Sequence, residues 1–241
     1  MPLRSASTIL ARMSASQTPE FRHVSVWIFD LDNTLYSSAC GLFGQIDARM
    51  TAFVAELMDL SQPEARAIQK QYYRDYGTTL NGLMQSHGVD PEDYLRFVHD
   101  IDLSPLERSE ALGAGLARLT GRRYVFTNGC RRHANRVLDR LGLAQHFDDI
   151  WDIRTTGFCP KPNPAAYDTI LSRANAPARN AAMFDDVARN LVPAHALGMT
   201  TVWLRNGSDW SKQGPGFPVA SATALDHETD DLAFFLANIR I

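Results

Sequence analysis

Two carboxylates one residue apart, Asp30 and Asp32, follow directly on an apolar run from Val24 to Phe29 and lead into Asn33 and Thr34. Three more polar clusters stand at the ends of β-prone runs. Thr127, Asn128 and Gly129 follow the run from Arg123, Lys161 lies in the loop after Ile150–Ile153, and Asp185 with Asp186 follows Ala181–Phe184. In an open parallel sheet the carboxyl ends of the strands share one edge, and ligands bind there. If the chain is still extended from residue 30 to residue 32, the two carboxylates point the same way, because strand side chains repeat every two residues. Asp-Leu-Asp-Asn could instead be a helix cap or an Asx turn. Capping alone does not explain why four such clusters converge on one edge.

The residue types suggest the chemistry. Asp30, Asp32, Asp185 and Asp186 in one place would raise one another's pKa unless a cation holds them. Hard oxygen ligands without His or Cys suit Mg2+, which is typically held by one or two carboxylates together with water and substrate phosphate. Thr127-Asn128-Gly129, ahead of a helix, offers a hydroxyl, an amide and backbone N–H groups at a positive helix end, a cradle for an anion. Lys161, between two prolines, adds a point charge held in one direction. The set suits a phosphate monoester dianion, so phosphoryl transfer with Mg2+ as cofactor is expected.

The elements that must position these groups are legible from periodicity. The run into Asp30 is apolar on both faces, as in a central strand covered by helices on both sides. A helix follows, with Ile46, Met50, Phe53, Val54 and Leu57 at helical spacing. Ser61, Pro63 and Glu64 start a second helix ending near Gly77, and Asp90-Pro91 starts another. No strand is expected between about residues 43 and 103, so an all-helical insertion separates the first strand from the rest. Ser104-Pro105-Leu106-Glu107 reads as a capping box that opens a helix. Strands then alternate with helices: Arg123–Thr127, a helix over Arg131–Leu141, Ile150–Ile153, a helix from Asn163-Pro164, Ala181–Phe184, a turn or two of helix over Leu191–Gly198, and Thr200–Leu204. A Gly/Pro-rich loop, Gly207–Pro218, precedes a closing helix over Asp230–Ile239. This pattern predicts a doubly wound parallel α/β sheet with right-handed crossovers. The expected division is a leader over 1–20, an α/β core over 21–42 and 104–241, and a helical cap over 43–103.

Composition bounds the rest. The 241 residues carry 24 Lys and Arg against 27 Asp and Glu, a formal charge of -3, which disfavours a nucleic-acid polymer or an anionic membrane surface as partner. No apolar run reaches the roughly 20 residues of a membrane span. The three cysteines, Cys40, Cys130 and Cys159, form no paired motif, which fits a reducing, cytoplasmic setting. The partner expected is a small phosphorylated substrate, acted on by a monomer or homodimer.

On FDLDNTLY, FTNG, PKPNPAAY and MFDDVARNL, with GLFGQIDARM, YGTTLNGL and FVHDIDL between, the chain resembles the haloacid dehalogenase superfamily of hydrolases. Within it the chain is similar to the pyrimidine 5'-nucleotidases. The resemblance implies a Rossmann-like core with an inserted cap. Asp30 would be the nucleophile that forms an aspartyl-phosphate, with one carboxylate oxygen also on Mg2+, and Asp32 the general acid and base, with its backbone carbonyl on the metal. Thr127 and Asn128, with Leu31 and Gly129, would hold the phosphoryl group, and Lys161 would neutralise it. Asp186 would bind Mg2+ directly and Asp185 through water. The acid at Asp32 favours an oxygen leaving group over a halide, and Lys70 has no assigned place. Substrate selection would fall to cap residues, with Tyr36, Gln45, Tyr72, Tyr76 and His87 as candidates beside plain packing or surface roles. His133 and Asn135 are expected to face solvent or stand behind the site, and Asp100 and Asp102 to serve the cap hinge. The expected substrates are UMP and CMP. Sugar phosphates, pyridoxal phosphate or a lysophospholipid are alternatives, as is a regulatory protein of the same fold without turnover.

Overall fold

The computed structural model describes residues 18–205 and 225–241. Its centre is β1 (Val26–Phe29), buried along its whole length. On either side lie β2 (Arg122–Phe126), β3 (Asp149–Trp151), β4 (Ala181–Asp185), β5 (Thr200–Leu204) and β6 (His227–Thr229) in a six-stranded parallel sheet of order β3-β2-β1-β4-β5-β6. The strands alternate with helices on both faces, as a doubly wound α/β sheet requires. The leader falls largely, and the Gly207–Pro218 loop wholly, outside the described residues. Among those described, no helix is long and apolar enough to cross a membrane.

The side-chain alternation of β1 divides the core in two. Trp27 and Phe29 face one layer, built with Phe184, Leu116, Val137 and Leu236. Val26 and Ile28 face the other, with Phe126, Trp151, Tyr167 and Ile170. Phe29 stacks on Phe184 with ring centroids 4.5 Å apart. Register sets the functional edge: Phe29 lies opposite both Val125 of β2 and Phe184 of β4, so these strands finish at one level.

Four helices leave the core after β1: α1 (Leu42–Met58), α2 (Gln62–Tyr76), α3 (Thr79–His87) and α4 (Pro91–Val98). Their own core comprises Val54, Ala65, Leu80, Leu83, Tyr94 and Val98. Ser61 and Glu64 form the capping box of α2, and Asp90 caps α4. The chain returns to the sheet through α5 (Glu110–Arg118), followed in order by α6 (Arg131–Leu141), α7 (Pro164–Ala174), α8 (Ala188–Ala196) and α9 (Leu232–Asn238).

The differences from expectation are local. Ser104 does not cap a helix: its N–H and hydroxyl both turn back to Asp102, Leu106 is drawn into the core at 1% exposure, and α5 begins only at Glu110. Burial of Leu106 outweighs the local capping preference. α3 and the short edge strand β6 carry too little periodicity to be read from sequence.

Candidate active site

Asp30 is the first residue beyond β1, and its N–H extends the ladder by donating to Phe184 O at 2.8 Å. The chain does not stay extended to residue 32. It turns at Leu31–Thr34, with Asn33 at a φ of 62° and the Thr34 N–H on Leu31 O at 3.2 Å. Asp30 and Asp32 nevertheless line one cavity of about 140 Å³, because the turn carries Asp32 back over the strand end. The Leu31 side chain goes into the core, which leaves its backbone for any anion.

Lys161 organises the buried charges. It is 1% exposed, and Nζ donates to Asp30 Oδ1 at 2.7 Å, Asp185 Oδ2 at 2.7 Å and Phe126 O at 2.9 Å. An ammonium has three donors, and all are used. Burial alone would lower its pKa, but Asp185 and Asp30 reverse this and keep Lys161 charged. Its backbone is held by Asn128, whose Oδ1 accepts the Lys161 N–H at 2.9 Å while Nδ2 donates to Lys161 O at 3.1 Å. The Asn128 amide is thus committed to positioning the lysine, contrary to the expectation that it meets the phosphoryl group.

The anion cradle also differs in detail. The Thr127 hydroxyl accepts the Gly129 N–H at 2.9 Å, and Asp152 caps the first N–H of α6, from Arg131, at 3.0 Å. Thr127 and Gly129 line the cavity, whereas the first N–H of the helix is already taken by Asp152.

Burial pushes the Asp30 carboxyl up to about 7, with Asp185 and Asp32 adding to the rise and Lys161 opposing it. Asp32 goes the other way. Burial alone would raise its carboxyl, but the His133 imidazole and hydrogen bonds from His133 and Tyr36 hold it below the ordinary carboxylate range. Tyr36 Oη donates to Asp32 Oδ1 at 2.7 Å, and His133 Nε2 lies 2.8 Å from the same oxygen. His133 is therefore fully buried behind Asp32, the second of the two places expected for it, whereas Asn135 takes the first and is exposed. Position three of a helix that follows a strand end was the available signal, since helix side chains point back toward the N-terminus. His99 stacks on His133 with centroids 4.4 Å apart, and burial followed by His133 drives its pKa down to about 3.

Oxygens of Asp30, Asp185 and Asp186, all buried, lie within 4.8 Å of one another. A set of hard oxygens this close, with one ammonium among them and a carboxyl already pushed up to about 7, fits a divalent cation such as Mg2+. The Asp32 carboxylate is not in that set. Thr34, given no role by the sequence, ties the set together: its hydroxyl donates to Asp30 Oδ2 at 3.1 Å and accepts the Asp186 N–H at 3.1 Å. Asn190 likewise donates to Asp185 Oδ1 at 3.0 Å.

The proposed specificity residues sit elsewhere. Tyr36 is bound to Asp32. Gln45 forms paired bonds with the Asp102 backbone, both 3.0 Å, which staples the return from the helices to the sheet. Tyr72 packs under Gly82 and bonds to exposed His87 at 2.7 Å. Tyr76 packs edge-on against Tyr72. None of the five lines the cavity. Its wall on the helical side comprises Phe43, Met50, Lys70, Tyr73, Tyr94 and His99, with Arg189 from α8. Lys70 finds its place here, 3.1 Å from buried Asp47. Which flank of α1 and α2 faces the cavity is set by packing, and periodicity alone does not choose it.

The sequence model of a hydrolase family, the haloacid dehalogenase-like hydrolases, matches residues 24–198. The chain is 28% identical over 193 residues to Phosphate metabolism protein 8 of Saccharomyces cerevisiae, spanning 72% of this chain and 59% of that protein's length. A predicted phosphoglycolate phosphatase from Haemophilus somnus has the same fold at a TM-score of 0.57 and 17% identity, covering 90% of this chain and 98% of that one. YfnB of Bacillus subtilis, assigned as a hydrolase of the same family and bound to magnesium, is similar at a TM-score of 0.56 and 18% identity over 90% of this chain and 99% of its own.

Proposed function

The chain belongs to the haloacid dehalogenase-like hydrolases, and on that premise we propose that it is a Mg2+-dependent phosphomonoester hydrolase whose substrates are pyrimidine nucleoside 5'-monophosphates. One observation carries the reading. The Asp30 carboxylate is pinned between Lys161 and Thr34, with a second carboxylate, Asp32, held at the same cavity. A nucleophile alone suffices to displace a halide; an acid beside it is needed when an alkoxide leaves.

Asp30 attacks phosphorus and the ester P–O bond breaks, giving an aspartyl-phosphate. The departing alkoxide takes a proton from Asp32. Water then gives a proton to Asp32 and attacks phosphorus, the bond to Asp30 breaks, and inorganic phosphate leaves. The lowered pKa of Asp32, set by His133 and Tyr36 against burial, suits the base step. The incoming phosphate dianion raises that pKa for the acid step. The Thr127 hydroxyl and the backbone N–H groups of Leu31 and Asn128 receive the equatorial oxygens, with the Gly129 N–H exchanging Thr127 Oγ1 for a phosphoryl oxygen or staying on it, while Lys161 keeps Asp30 oriented and partly neutralised. Asp30, Asp186 and the Asp32 carbonyl would hold Mg2+, with Asp185 reached through water because its oxygens already accept from Lys161, Val187 and Asn190. When bound, Mg2+ neutralises charge that develops on the phosphoryl oxygens.

The test is phosphate release, with Mg2+ and with chelator, from UMP, CMP, AMP, GMP and a panel of small phosphomonoesters. Mg2+-dependent release concentrated on UMP and CMP is the expected result. Release from another ester removes the nucleotide assignment, and release from none removes the phosphatase.

A further inference from the structure

The cavity holds a cation that the phosphoryl chemistry does not use. Arg189 is the second residue of α8 and only 7% exposed. One guanidinium nitrogen, Nη2, donates to Gly77 O at 3.3 Å, and the group lies over the Tyr73 ring, 4.1 Å from its centroid. Nε and Nη1 are buried without a hydrogen-bond partner. Among the described residues no carboxylate forms an ion pair with it. Buried guanidinium groups are rarely left this way, because desolvation is repaid only by acceptors. The other cations at the cavity are provided for, buried Lys161 by Asp30 and Asp185 and half-buried Lys70 by Asp47.

Its position indicates what is meant to meet it. Arg189 comes three residues after Asp186, at the phosphate end of the sheet, while Tyr73 belongs to α2 of the helical segment and Gly77 caps that helix. It therefore lies between the phosphoryl site and the cap, where the alcohol part of a bound ester must sit. Arg offers donors only.

We infer that Arg189 is a specificity residue which binds acceptor oxygens on the leaving group of the substrate, through its buried and unpaired Nε and Nη1. This rests on the phosphomonoesterase reading. For a nucleotide the acceptors are the ring carbonyls of the pyrimidine. Adenine has no carbonyl, and methyl phosphate has no acceptor beyond its ester.

The experiment compares Arg189→Met with the wild type by the ratio of kcat/KM for UMP to that for methyl phosphate. The expected fall in the ratio is on the order of 10- to 100-fold, the worth of a hydrogen bond to a charged group. It should appear with UMP and CMP and be smaller with AMP. Arg189→Lys, which keeps the charge and reach to Gly77, covers the case in which the Met variant does not fold. An unchanged ratio, whatever the absolute loss, makes Arg189 only a strut between α8 and the cap and overturns the inference. A wild type that prefers other esters ends the nucleotide assignment but leaves the inference testable, since acceptor-bearing esters should still suffer selectively. If no ester turns over, calorimetric binding of UMP and methyl phosphate supplies the same ratio, and equal weakening of both overturns it.

Discussion

Replacing Asp30 with Asn removes one buried charge and almost no volume. The amide oxygen can still accept from Lys161 Nζ, and the amide nitrogen can donate to the Thr34 hydroxyl, which has a second lone pair to offer. What changes is the cost of ionisation. The Asp30 carboxyl is pushed from 3.8 to about 7, chiefly by burial, with the attraction of Lys161 already included. At about 1.4 kcal/mol per pKa unit, the ionised side chain costs the metal-free fold on the order of 4 kcal/mol, or about 2 kcal/mol once relaxation and water entry are allowed for. Asn carries no such cost. In chelator near pH 8, Asp30→Asn should therefore melt about 4–8 °C above the wild type, taking 2–4 °C per kcal/mol for a chain of this size. As the pH falls toward 3.8 the carboxyl is protonated in the folded and increasingly in the unfolded chain, and the difference should shrink toward zero. Phosphate release should be abolished at every pH. Circular-dichroism melts at both ends of that range, run beside the phosphate assay, read all three outcomes. A variant less stable than the wild type in chelator near pH 8, or a difference independent of pH, refutes the electrostatic reasoning, and retained turnover refutes the nucleophile.

The wild type should show the linked pH effect. Asp30 binds its proton more tightly folded than unfolded, so its contribution to stability is full below its ordinary value of 3.8 and is lost as pH rises through about 7. The metal-free Tm should then fall between about pH 4 and pH 7, and Mg2+ should restore it by favouring the carboxylate; a flat profile, or no response to Mg2+, contradicts this. Asp32→Asn should cost on the order of 10²–10⁴-fold in kcat with alkyl phosphates and less with p-nitrophenyl phosphate, whose leaving group needs no proton. An equal loss on both esters removes the general-acid role. Gly82→Ala would place a methyl 2.5 Å from Tyr72 Cγ and 2.6 Å from its Cβ. The crowding between α2 and α3 should cost about 1–3 kcal/mol, and an unchanged denaturant midpoint argues against that packing.

Much of the architecture was legible because each strand is short, apolar and followed at once by polar residues. Val26–Phe29 has no face that tolerates water, which marks a central parallel strand and places Asp30 at its end. The same reasoning puts Thr127, Lys161 and Asp185-Asp186 on that edge without coordinates. Residue type then limits the chemistry, since hard oxygens and one ammonium suit a cation and a phosphate. Local signals failed where burial competed with them, as at Ser104, whose capping box gives way to the burial of Leu106.

The wall of the cavity was not legible. Tyr36, Gln45, Tyr72 and His87 have suitable side chains, yet packing turns each of them to another task, on Asp32, on the Asp102 backbone or on one another. Tyr73 and Arg189 face the cavity instead. Backbone periodicity restricts which residues share a strand edge, so the sequence by itself determined the sheet and the row of polar groups along it. Which flank of a helix meets a cavity depends on the angle at which helices cross and on contacts among residues far apart in the chain. Those contacts exist only in the folded molecule, so tertiary structure alone decided that Asn128 serves Lys161, that His133 serves Asp32, and that Arg189 is buried with two donors unpaired.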